Sequence, residues 1–167
     1  AMIVTSTIVM FIMMYLNTYA ISHIWFSETR TYMALYMGAG MAIIMLSFML
    51  GMYTNKKLNA SIFIAAIALF AVCLYLVRSQ ATVSDSAYMK AMIPHHSIAI
   101  LTSERANIED TRVRELADNI ILAQRREIKE MEWLVKDIES NGKVTSAAEA
   151  EKRSVPNFEA KLNPEVN

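Results

Sequence analysis

Up to residue 78 the chain alternates long stretches without a charge with short polar interruptions, and then it changes character. No Asp, Glu, Lys or Arg occurs over residues 1–27, 31–55 or 58–77. Each run reaches the roughly 20 apolar residues that a helix needs to cross a bilayer. The pattern predicts three membrane spans: Met2 to Phe26, Thr31 to Tyr53 and Asn59 to Val77. The interruptions, Glu28 to Arg30 and Lys56 to Lys57, are short enough that consecutive spans must be antiparallel neighbours. The first run has no basic n-region and is too long for a signal-peptide core, so it reads as a retained helix, with Trp25 and Phe26 at the interface.

Beyond Arg78 the apolar positions recur at helical spacing. Ser84 or Asp85 caps a helix towards Ala106 that Pro94 either kinks or restarts, because proline has no N–H for the Lys90 carbonyl. Asn107 to Asp110 form a turn. A second long helix then carries Val113, Leu116, Ile120, Ile121, Ala123, Ile128, Met131 and Leu134 on its apolar side and stops at Asn141-Gly142. Residues 143–167 are polar, contain Pro156 and Pro164, and read as a loosely attached tail with one helical turn around Ala147 to Lys152. The fold class is therefore all-α: a three-span region over residues 1–78, a helical hairpin domain over 79–142 and a tail over 143–167. A lone hairpin cannot cover both of its apolar stripes, so it is expected to complete a four-helix bundle by pairing with a second copy.

Charge sets the orientation. The basic loop Asn55-Lys56-Lys57 belongs in the cytoplasm, which places the N-terminus there too and residues 79 onward on the periplasmic face of a bacterial inner membrane. Of the 16 basic and 16 acidic residues, only Arg30, Lys56, Lys57, Arg78 and Glu28 precede residue 79, so the remainder carries net −3. An acidic domain without a basic cluster is a poor partner for nucleic acid. The single cysteine, Cys73, lies within the third span and rules out both a disulfide framework and a thiolate metal cluster within one chain.

Candidate chemistry is concentrated between Asp85 and Ile100. On an ideal helix Asp85, Met89, Met92, His96 and Ala99 share a stripe, with His95 one position round. Thioether sulfur selects Cu(I) or Ag(I), and imidazole accepts several transition metals. The second helix presents Gln124, Glu127 and Met131 at spacings that can face this stripe. The expected metal ligands are Met89, Met92, His95, His96 and Met131. Asp85, Gln124 and Glu127 stand behind them, with Glu127 or Asp85 orienting an imidazole through its other N–H. Core filler is the commoner role for methionines at this spacing, and spacing alone leaves both readings open.

The element Met92-Ile93-Pro94-His95-His96, followed by Ala99-Ile100, preceded by Asp85 and Met89, and with Gln124, Glu127 and Met131 downstream, resembles the DUF305 family over roughly Asp85 to Glu139. The resemblance implies a ferritin-like helical fold. Through the family's copper- and silver-binding members, it also implies a periplasmic protein holding Cu(I) or Ag(I) for copper tolerance, storage or delivery, with a copper-transport or cuproenzyme partner. Thr102 stands where the family usually has methionine, and Tyr88 where it often has phenylalanine. The rival readings are a non-catalytic structural or assembly subunit of a membrane complex, and a di-iron oxidoreductase, which would want a Glu-x-x-His motif that is missing here. No catalytic set is expected.

Two further features lie in the apolar half. Met33, Met37, Met41, Met45, Met49 and Met52 follow a spacing of nearly four along the second span, a row that winds round the helix and suits ridge packing better than a copper path. His23 sits near the outer end of the first span, where an ionisable group is a functional candidate.

Overall fold

The computed structural model describes residues 2–162, which contain six α-helices and no strand: α1 (Met2–Met13), α2 (Glu28–Met49), α3 (Lys56–Ser79), α4 (Asp85–Arg105), α5 (Thr111–Asn141) and α6 (Ala147–Lys152). They fall into two compact units, one of residues 2–16 and 27–83, the other of residues 17–26 and 84–162.

In the first unit α2 and α3 pair as an antiparallel hairpin, and α1 packs on α2. At 22 and 24 residues these two helices are long and apolar enough to cross a membrane, spanning about 33 and 36 Å at 1.5 Å per residue. Most apolar side chains of α3 are exposed, Ile64 by 69%, and α2 adds Leu35, Ile44 and Phe48, the last 88% exposed, a surface that water would penalise and lipid would not. The buried positions of α3, namely Asn59, Ala66 and Cys73, recur every seven residues as a seam. Cys73 is thus a packing residue.

The third expected span is not formed. The 12 residues of α1 reach about 18 Å, short of a hydrocarbon core of about 30 Å. The helix tightens at its end through i→i−3 bonds at Tyr15 and Leu16. The Arg30 guanidinium then donates to the Met14 carbonyl and lies 4.5 Å over the Tyr15 ring, so a cation closes the negative end of the helix. Glu28 to Arg30, expected as a loop, are the first turn of α2, capped by the Ser27 hydroxyl. Trp25 and Phe26, expected at the end of a span, lie on a connection that belongs to the other unit.

Small residues make the tightest contact in the membrane-type unit. A Cβ on Gly38 would overlap Thr7 Oγ1 and sit 3.2 and 3.3 Å from Thr7 Cγ2 and Cβ. Thr7 cannot turn away freely, because its hydroxyl donates to the Ile3 carbonyl at 2.9 Å. Gly38→Ala should therefore cost about 1–3 kcal/mol through overpacking. Thr7→Gly in the same chain should recover most of that, as read by thermal unfolding in mild detergent. Equal midpoints for Gly38→Ala and wild type would show that α1 does not depend on this contact. The methionine row of α2 borders this face and does not form it: Ala34, Gly38, Ala39 and Leu46 are buried, whereas Met33, Met37, Met41 and Met45 are half-buried.

In the second unit α4 and α5 run antiparallel along their length, tied at one end by Lys90 to Glu139 and Asp85 to Lys143. Pro94 neither restarts nor ends α4; it is fully buried inside one uninterrupted helix. The core is Ile93, Ile100, Ile121 and Ile128, and the chain itself supplies the layer above it, from Tyr19 and Trp25 of the connection and Leu162 of the tail. α5 ends at Gly142, whose φ of +79° favours glycine. The tail is docked and not loose. Arg153 bonds to Asp137 and to the Gly142 carbonyl, and Lys129 and Arg125 donate to the carbonyls of Glu159 and Lys161 at 2.8 and 2.7 Å. Asn141 and Arg153 hold the Asp137 carboxyl below the usual carboxylate range.

Candidate metal centre

The packed side of α4 is set by Met89, Ile93, Ser97, Ile100 and Glu104, all buried. Met89, at 7% exposure, therefore belongs to the core stripe. Met92 and His96 lie one position before that stripe and are half-buried on its flank, while His95 points outward and is exposed. From α5, Gln124 and Glu127 are half-buried, and Met131 packs against the isoleucine cluster. The expected ligands are thus divided: Met92, His95 and His96 share an accessible flank, whereas Met89 and Met131 are committed to packing.

His96 is the best-defined group. Its Nδ1–H donates to the Met92 carbonyl at 2.9 Å, one turn back, and its Nε2 lies 2.8 Å from Glu127 Oε2. Carbonyl and carboxylate oxygens only accept, so the ring carries both protons when both bonds are made. The Met92 bond fixes Nδ1, and Nε2 becomes the nitrogen a metal would take, in the place Glu127 now occupies. The His95 ring lies 6.1 Å from that of His96, centroid to centroid. Asp85 pairs with Lys143 at 2.8 Å and orients neither imidazole.

Two imidazoles and a thioether on one flank suit a soft monovalent cation. Among the described residues no three His, Cys, Asp or Glu side chains converge on one point. Sulfur, or a second chain, would therefore have to complete any coordination shell here.

The hairpin unit also holds a polar cluster that sequence reasoning missed. The Glu104 side chain, 4% exposed, pairs with Arg125, which donates as well to the Tyr19 hydroxyl at 3.1 Å. Ser97 Oγ accepts the Tyr19 backbone N–H at 2.7 Å and lies 2.9 Å from His23 Nδ1. His23 borders a cavity of about 580 Å³ together with Arg125, Lys129, Glu132 and Glu159. Burial lowers its pKa from the ordinary 6.5, and Glu132 opposes that shift. Only the lone histidine in an apolar run signalled any of this.

A family model described as "Domain of unknown function (DUF305)" matches residues 84–163. The match begins at the cap of α4 and runs past Glu139 into the tail, whose described part, to Leu162, folds onto the hairpin. The chain is 33% identical over 111 residues to an uncharacterized protein of Acanthamoeba polyphaga mimivirus, covering 62% of this chain and 73% of that protein. No solved structure matches. With the hairpin, the docked part of its tail and the Met-Ile-Pro-His-His segment of α4 inside the matched stretch, the chain belongs to the DUF305 family.

Proposed function

We propose that this is a membrane-anchored copper-binding protein that holds Cu(I), and by the same chemistry Ag(I), on the α4 flank for copper tolerance, storage or delivery. One observation carries the reading: Met92, His95 and His96 share an accessible flank of a rigid helix, with His96 Nδ1 fixed by a backbone bond so that Nε2 alone is left to exchange Glu127 for a metal. Met89 and Met131 would join only with local repacking. In this reading α2 and α3 cross the inner membrane with Lys56 and Lys57 on the cytoplasmic side, and the hairpin unit lies in the periplasm. A second copy of the hairpin would supply the donors that one chain lacks, and a copper-transport or cuproenzyme partner would exchange the metal.

The His96–Glu127 pair also favours one rival, an assembly subunit whose histidines merely pack. Loading separates the two. Purified protein incubated with Cu(I), Ag(I) or Zn(II) and then desalted should retain Cu(I) and Ag(I) in near-integral ratio to chain and lose Zn(II). Retention of none of them would establish the packing role.

A further inference from the structure

One hydroxyl of α4 joins two groups of loop 17–26. Ser97 is fully buried, and the Tyr19 amide, which can only donate, points its N–H at Ser97 Oγ from 2.7 Å. The serine's own proton then has His23 Nδ1, 2.9 Å away, as its acceptor. This arrangement fixes the neutral ring with its proton on Nε2 and its lone pair on Nδ1. A protonated ring would turn a second N–H against the same oxygen and leave the serine proton without an acceptor in a place closed to water.

We propose that His23 and Ser97 form a proton-controlled latch, closed when the imidazole is neutral, which holds loop 17–26 against α4 next to His95-His96 and releases it when the ring is protonated. Other anchors of the loop include the Tyr19 hydroxyl on Arg125 and Trp25 beneath Lys90, whose Nζ lies 5.9 Å from the indole centroid. Neither contains an imidazole, so among these anchors His23 is the group through which mild acid acts.

Burial, more than the charged groups around His23, sets the sign. His23 shares its cavity with Glu132, Arg125 and Lys129 of α5 and with Glu159 and Lys161 of the tail. Arg125 is committed to Glu104, and Lys129 to the Glu159 carbonyl. Glu132 favours the charged ring, but burial outweighs it and the pKa is lowered from 6.5. The closed loop therefore binds the proton more weakly than the open one. The latch is complete above the open-loop value, near 6.5, and weakens as pH falls below it. Opening rises about tenfold per pH unit until the closed-loop pKa is passed, and then levels off.

Hydrogen exchange of peptides covering residues 17–26, in the full chain in mild detergent and normalised to intrinsic exchange, tests this between about pH 8 and pH 5. Protection should be flat above about pH 7 and fall below about pH 6.5 by up to tenfold per unit. His23→Gln, which keeps an acceptor but cannot be protonated, should flatten the profile. Glu132→Gln should leave the onset near pH 6.5 and extend the fall to lower pH before it levels off, and Ser97→Ala should loosen the loop at every pH. A wild-type profile flat throughout, an unchanged slope in His23→Gln, or full protection in Ser97→Ala at about pH 8 would each overturn the latch.

Discussion

Arg125→Met should destabilise the hairpin unit by about 3–5 kcal/mol, the range for removing one partner of a buried ion pair. The reason lies in what stays behind. The Glu104 side chain is only 4% exposed, and without the guanidinium its charge has neither a counter-ion nor water. Arg125 is itself 21% exposed, which argues for the lower half of that range. The same side chain also donates to the Tyr19 hydroxyl and the Lys161 carbonyl, so the connection and the tail lose an anchor together. Lysine would not replace it, because one ammonium cannot present the fork that reaches three partners. The double variant Glu104→Met with Arg125→Met should recover most of the loss, since no charge is then buried. Thermal unfolding followed by far-ultraviolet circular dichroism measures both. A double variant as unstable as the single one would show that packing, and not the stranded carboxylate, sets the cost.

The helices of this protein were legible because each has a strong local pattern. The α3 span, the turn before Thr111, the stop at Gly142 and the single turn of α6 all follow from charge gaps, caps and glycine. The first span was misread because charge was the only criterion: residues 17–23 carry no charge, but Asn17, Thr18, Tyr19, Ser22 and His23 bring hydrogen-bonding groups that a bilayer would leave unmet. Their partners, Ser97 and Arg125, lie more than seventy residues away, and no window along the chain can show them. The tail was misread for a similar reason. It has no periodicity, and what docks it is three long cationic side chains reaching main-chain carbonyls and a single Leu162 on the core.

The candidate site shows the same division. The stripe through Met89, Met92 and His96 was drawn on an ideal helix, where Met92 lies about 60° and His96 about 20° round from Met89, enough to separate core from flank. Burial places Met89 in the core and the other two outside it. The pairing of Glu127 with an imidazole was legible, since the residue faces α4 at a spacing set by the hairpin. The loss of Asp85 to Lys143 was not, because Lys143 lies beyond the end of α5. The expectation of a second hairpin rested on uncovered apolar stripes, and Tyr19, Trp25 and Leu162 now cover one of them from within the chain. The physical case for a dimer therefore shifts from core burial to completion of the proposed metal shell.

That shift sharpens the test of the ligands. Met92→Leu combined with His96→Gln should weaken Cu(I) binding by at least about 100-fold, beyond the 10–100-fold typical of groups that only support a ligand. Stability should change by less than about 1.5 kcal/mol, because leucine matches methionine in volume and neither side chain is in the core. Met89→Leu and Met131→Leu should alter Cu(I) affinity far less, since both are held in packing. His95→Gln falls between them, because its ring is exposed and free to turn towards a shared ion. Glu127→Ala adds the sign that distinguishes competitor from support. If the carboxylate occupies the place of the metal at His96 Nε2, its removal should tighten Cu(I) binding several-fold, discounted from a full charge-assisted bond because Glu127 is 38% exposed. Competitive titration against a chromophoric Cu(I) chelator reads all five variants on one scale. Wild-type affinity in the Met92–His96 double variant would remove copper from this flank, and weaker binding in Glu127→Ala would make the glutamate a supporting group and His96 Nε2 its donor.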